Sequence, residues 1–167
     1  MASGKSTLGM ALADKLNIPF FDTDKIIENQ ESKSVNEIFQ LHGESRFREL
    51  ENQSLQNIKN IENFVLAVGG GLPCYYNMMD ELNEMGLTVF LDVDSLQIYE
   101  RTKSDKSNRP LLKDLDEKNL LSFINEMYSI RKKIYCRAKH TITISTESAS
   151  ESLEKLISLV DFHQKAL

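Results

Sequence analysis

Ser3 to Thr7 read SGKST, a glycine and a lysine followed by two hydroxyls, and FDTD follows at Phe21 to Asp24. A phosphate-binding loop ends in this order, its full pattern being glycine, four residues, then Gly-Lys-Ser/Thr. Gly4, Lys5 and Ser6 supply that end. Successive backbone N–H groups at a helix N-terminus form an anion nest, and the helix dipole strengthens it. Lys5 can reach the outer phosphates of a nucleotide, and the Ser6 hydroxyl can ligate Mg²⁺. A polar tail before a capped helix is the plainer reading of SGKST. The amphipathic helix that follows, in an alternating strand and helix pattern, favours the phosphate loop.

Asp22 and Asp24 stand two apart at the end of an apolar run. On a strand such residues share a face at roughly 7 Å, which spans a metal shell and a substrate hydroxyl. Asp24 could equally do no more than start the next helix. The C-terminal ends of strands are where open α/β sheets bind ligands, so the functional reading is preferred. Gly69, Gly70 and Gly71 end another apolar strand and would let a ligand approach backbone N–H groups. In SRFRELENQ the arginines and glutamates read as a solvated helix face with weak ion pairs, and IRKKIYCRA around Arg131 reads the same way. Arg109, beside Pro110 in a polar stretch, is a better candidate for a cation that covers phosphates. His42, His140 and His163 have no metal or triad spacing and read as structural.

The elements that must position these groups follow from periodicity. Leu8, Ala11, Leu12 and Leu16 line one face of a helix that Asn17 ends. IPFFD is a short buried strand, and Asp24 starts the next helix. Ser34 and Glu37 have capping-box spacing, and Gly43 closes the helix they open. A helix from about Glu44 to Ile58 turns Phe47, Leu50, Leu55 and Ile58 inward. NFVLAV is a strand, a helix ends at Gly86, and LTVFLDV is the next strand. Ser95 caps a helix through Arg101, and the polar segment 104–116 reads as a mobile lid. A helix from about Glu117 to Arg137, the strand HTITIS and a helix from Ser150 to His163 complete the chain. Apolar strands alternating with helices imply one α/β domain over residues 1–167, a parallel sheet covered on both faces.

Such a sheet places its first strand centrally beneath the phosphate loop, yet only Met1 and Ala2 precede SGKST. The expectation is a natural protein with roughly ten more N-terminal residues, a strand and the first loop glycine.

The 167 residues are 41% hydrophobic and 27% charged with a net charge of −5, which suits one globular domain and argues against a general nucleic-acid or membrane-surface binder. Two cysteines without redox or metal spacing, and no apolar run of signal or membrane length, favour the cytoplasm. A monomer is expected.

Taken together, SGKST, FDTD, FRELE, VGGG, NRPLL and IRKKIY resemble shikimate kinase in order and spacing over nearly the whole chain. The resemblance implies a three-layer αβα phosphate-loop kinase fold that moves the γ-phosphate of ATP to the 3-hydroxyl of shikimate. It implies a nucleotide site at Ala2, Ser3, Gly4, Lys5, Ser6 and Thr7, with Arg101 beside adenine and Arg109 on a lid. Mg²⁺ would be held by Ser6 and, through water, by Asp22. Asp24 would bind shikimate hydroxyls and act as base, Arg48 and Arg131 would clamp its carboxylate, and Gly70 and Gly71 would donate backbone N–H groups. Lys5, Asp24 and Arg109 are thus the catalytic candidates. Ala2 stands where the family often has glycine, a change tolerated if its φ is negative. Two rivals stay open: another small-molecule kinase acting on gluconate or a nucleotide, and a non-catalytic ATP- or shikimate-binding remnant.

Overall fold

A computed structural model describes residues 2–103, 115–145 and 147–165. In chain order the elements are α1 (Lys5–Leu16), β1 (Phe20–Asp22), α2 (Thr23–Glu31), α3 (Val35–Ile58), β2 (Val65–Ala67), a 3₁₀ turn (Leu72–Cys74), α4 (Met78–Met85), β3 (Val89–Val93), α5 (Ser95–Lys103), α6 (Glu117–Tyr135), β4 (His140–Ile144) and α7 (Ala149–Lys165). The expected alternation is present, and most boundaries fall within a few residues of the periodicity.

Local chemistry explains the ends. Asn17 closes α1 at φ 53° with its N–H on the carbonyls of Ala13 and Asp14. Ser34 and Glu37 form the reciprocal capping box at α3. Gly43, at φ 76° and ψ 177°, breaks the helical path where a closing residue was expected, but helix resumes at once and α3 is kinked there. Two starts differ from the sequence reading. Asp22, not Asp24, caps α2, its carboxylate accepting from the Asp24 N–H at 3.0 Å. Asp94, not Ser95, caps α5, accepting from the Leu96 N–H at 2.8 Å. In each case the strand's last acidic residue, or the one just after it, meets the first free N–H groups.

The strands are parallel, but they form two pairs instead of one sheet. β1 lies against β2 with Phe20 opposite Val65, and β3 against β4 with Val89 opposite His140. Among the described residues β2 and β3 are not paired with each other, and no further strand joins the two pairs. Helix α1 bridges the pairs. Leu8 and Leu12 pack with Val93, Ile144, Ile124 and Leu156 on one side. On the other, Gly9 lies so close to Phe20 that a Cβ there would stand 2.8 Å from its ring. Two further clusters, one around Leu55, Leu72 and Met78 and one around Ile27, Ile38 and Phe47, fasten α2, α3 and α4 to the first pair. The N-terminus of α1 therefore sits where the two halves meet.

Candidate active site

The phosphate-loop end is built by α1 and the C-terminal end of β1. Gly4 adopts φ 88°, which only glycine takes without strain, and it is the residue from which α1 starts. With glycine as cap, no side chain occupies the first helical N–H groups. Ala2 stands at φ 45°, so the condition under which alanine would be tolerated here, a negative φ, is not met and the alanine is left-handed. Arg101 reaches over from α5 to donate to the Ala2 carbonyl at 3.3 Å and to Gln97 at 3.4 Å, which brings it beside the loop.

Lys5, Ser6, Asp22 and Asp24 converge. The Ser6 hydroxyl donates to Asp22 Oδ2 at 2.5 Å, and Lys5 Nζ stands 3.2 Å from the same oxygen and 3.9 Å from Asp24 Oδ2. Asp22 and Asp24 do not share a strand face as expected; one ends β1 and the other enters α2, and Lys5 joins them. Burial alone would raise the Asp22 carboxyl, but the Ser6 hydroxyl, the Lys5 ammonium and the Asp24 N–H together hold it below the usual carboxylate range. A hydroxyl and an ionised carboxylate side by side are hard oxygen donors, the kind Mg²⁺ takes in ones and twos beside phosphates and waters. These two residues fit that ion. Among the described residues no cluster of three or more His, Cys, Asp or Glu offers an all-protein metal site.

The second half of the site is built by α3 and the glycine loop. Arg48 is 7% exposed and Glu51 0%, so this stretch is not the solvated face the sequence suggested. The residues are one helical turn apart on the side of α3 that faces the loop. Arg48 Nη1 donates to Glu51 Oε2 at 2.5 Å, and Nη2 donates to Glu44 Oε1 at 2.6 Å. The guanidinium lies against Gly71, where a Cβ would meet Nη2 at 2.3 Å; the glycine is required by this close approach. Gly69 is similarly closed in, a Cβ there falling 2.7 Å from Glu51 Oε1 and 2.9 Å from Asp24 Oδ1. The Gly69 N–H is held by Thr23 Oγ1 at 2.9 Å. Through Gly69 the two halves of the site touch.

Glu51 was not among the sequence candidates. Its Oε2 serves Arg48, whereas its Oε1 is buried without a hydrogen-bond partner. Burial outweighs the pull of Arg48 and, with the negative charges of Asp24 and Glu44, raises the Glu51 carboxyl to about 7. Arg48 goes the other way: burial disfavours its charge, but Glu51 and Glu44 more than compensate and it stays firmly protonated. The signal available in sequence was the i,i+3 spacing of an arginine and a glutamate beside Phe47 and Leu50, a pattern that surface helices also carry.

Arg131 approaches from α6. Its charge acts on Tyr135, whose hydroxyl donates to the Gly70 carbonyl at 2.5 Å and which burial pushes up to about 12. Burial raises the Cys74 thiol too, against the opposing charges of both Arg131 and Arg48. The two arginines thus flank the same loop. Gly70 engages Tyr135 through its carbonyl, and Gly71 accepts from the Cys74 N–H at 3.0 Å. Arg109 and residues 104–114 of the expected lid lie outside the described residues.

A sequence model of the shikimate kinase family matches residues 1–161. A shikimate kinase of Bacteroides fragilis is 39% identical over 166 residues, covering 95% of this chain and 93% of its own. The 1.7 Å crystal structure of shikimate kinase from Bacteroides thetaiotaomicron superposes with a TM-score of 0.88 at 36% identity, over 96% of this chain and 94% of that one. The enzyme from Acinetobacter baumannii, in complex with shikimate, superposes at 0.90 with 30% identity, over 98% and 89%. Sequence and three-layer fold agree along almost the full length, and the chain belongs to the shikimate kinase family.

Proposed function

We propose that this chain transfers the γ-phosphate of ATP to the 3-hydroxyl of shikimate, with the residues above in the roles their positions suit. The observation that carries this is the set of groups from Lys5 through Asp22 and Asp24 to Glu51 and Arg48: a phosphate-directed cation at one end and a carboxylate-directed cation at the other, with the Asp24 and Glu51 carboxylates meeting at Gly69 between them.

In this reading the N–H groups at the start of α1, from Gly4 to Thr7, cradle the β- and γ-phosphates. Lys5 leaves Asp22 and Asp24 for phosphate oxygens, exchanging two carboxylates for a more highly charged anion. Ser6 and Asp22 would hold Mg²⁺, which when bound would neutralise charge on the outer phosphates. Arg101 flanks the nucleotide, and Arg109, on sequence grounds alone, is assigned to offset charge on the transferring group.

Arg48 and Arg131 hold the shikimate carboxylate against Gly70 and Gly71. This orients the ring so that its 3-hydroxyl meets Asp24. That hydroxyl forms a bond to the γ-phosphorus as the bond from phosphorus to the bridging oxygen of ADP breaks, and its proton passes late to the Asp24 carboxylate. Phosphoryl transfer of this kind is mainly positioning and charge neutralisation, which a cationic cradle within an acidic protein supplies.

A coupled ADP-release assay across shikimate, gluconate and nucleoside monophosphates tests the proposal. Turnover with shikimate alone is expected; binding without turnover would make the chain a non-catalytic receptor, and turnover with another acceptor would move it to a neighbouring kinase class.

The setting we propose is cytoplasmic and monomeric: Cys74 and Cys136 are free thiols, and no described helix is long and apolar enough to cross a membrane. Light scattering after size exclusion tests the monomer.

A further inference from the structure

Glu51 is fully buried, yet one of its two carboxylate oxygens has no hydrogen-bond partner and lies against the Gly69 backbone beside Asp24. The charged groups facing it are Arg48 and Glu44 from α3 itself and Asp24 from the first turn of α2; the glycine loop presents backbone there. One guanidinium therefore already answers two carboxylates, Glu44 and Glu51, with a third close by. The proposed reaction brings a further carboxylate, that of shikimate, onto the same guanidinium. Adding a negative charge a few ångströms from a buried carboxylate raises the cost of keeping it ionised.

We propose that Glu51 is a positioning residue that takes up a proton when the acceptor's carboxylate settles on Arg48, so that acceptor binding is proton-linked and weakens as pH rises above neutrality. The inference rests on the proposed shikimate site. The balance is simple: one anion arrives, one carboxylate oxygen gains a proton from solvent, and the charge around Arg48 is unchanged. The new O–H supplies a donor at a carboxyl whose free oxygen had none, beside the Asp24 carboxylate that must accept from the acceptor. Because Glu51 without a shikimate carboxylate titrates near 7, the uptake falls in the physiological range.

Calorimetric titration of shikimate into the protein at about pH 7.5, in HEPES and in Tris, reads the uptake directly, since the two buffers release protons with different enthalpies. About half a proton or more per shikimate is expected, with Kd rising by up to about tenfold per pH unit above 7. Glu51→Gln should bind with no uptake and a flat affinity over the same range. Glu44→Gln, which leaves the buried carboxyl in place, should retain the uptake. Shikimate binding by the wild type with equal heats in both buffers overturns the inference, as does uptake that persists in Glu51→Gln. If Glu51→Gln folds poorly, the wild-type heats decide alone. Absence of any shikimate binding is a different result: it overturns the proposed function, and this inference falls with it.

Discussion

Lys5 and Arg48 are both held by the protein's own carboxylates, and the two settings drive those carboxylates in opposite directions. Around Lys5, which is 31% exposed, Asp22 is stabilised as an anion by a hydroxyl, an ammonium and a backbone N–H. Around Arg48, closed off by Phe47, Tyr75 and the glycine loop, Glu51 has one partner and one orphaned oxygen, and burial wins. A partly exposed cation can change partners at less cost than a buried one, as phosphate binding requires. A buried cation cannot give up an anion without leaving it stranded, so its partner must either stay or be neutralised. The same pairing of cation and carboxylate therefore serves as a loose switch at one end of the site and a rigid clamp at the other.

The sharpest way to break the comparison is at the partly exposed cation, Lys5. Lys5→Met should lower kcat on the order of 10²–10³-fold or more while the circular dichroism spectrum and melting temperature stay near wild type. Retained turnover would remove Lys5 from the mechanism. Arg48→Ala should do the opposite in stability, costing about 3–5 kcal/mol in urea unfolding because Glu51 is left buried and unpaired, and it should weaken shikimate binding as well. Equal stability losses in the two variants would erase the distinction.

A third test uses pH. The Glu51 carboxyl is raised from 4.5 to about 7, so the folded protein holds this proton more tightly than the unfolded chain. Its contribution to stability is fully present below about 4.5, declines as pH rises, and is lost above about 7, a swing of about 3 kcal/mol. Urea midpoints compared at either end of that window should show the decline in the wild type and its absence in Glu51→Gln. Arg131→Ala, by contrast, removes a charge-assisted bond worth ~1.5–3 kcal/mol and should raise the shikimate KM with little effect on melting. The smallest effect is at the loop: Ala2→Gly relieves a left-handed alanine and should stabilise by about 1 kcal/mol, measured by thermal melting.

Much of this architecture was legible in sequence because it is written in local chemistry. The capping box at Ser34, the end of α1 at Asn17 and the inward face of Phe47, Leu50, Leu55 and Ile58 are all readable locally, and all are observed. The acidic cap of α2 was misplaced by two residues because either aspartate in FDTD could cap, and only the path of β1 decides which carboxylate meets the free N–H groups. The parallel strands expected from the pattern are observed, as the two pairs β1–β2 and β3–β4, and which strand meets which is decided by contacts between distant segments that no strand encodes alone.

By itself, then, the sequence determined that Gly4 would turn the chain, that Lys5 and Ser6 would stand at the mouth of α1, and that apolar strands would alternate with helices, since each follows from backbone freedom and periodicity over a few residues. Only the tertiary structure decided that Arg48 and Glu51 are buried, that Gly71 admits a guanidinium, and that one carboxylate near the site is driven toward ionisation and another toward protonation. The reason is dielectric: a charge in water and a charge in a packed interior are the same residue in the sequence, and burial, which arises from contacts between distant segments, separates them by several kcal/mol.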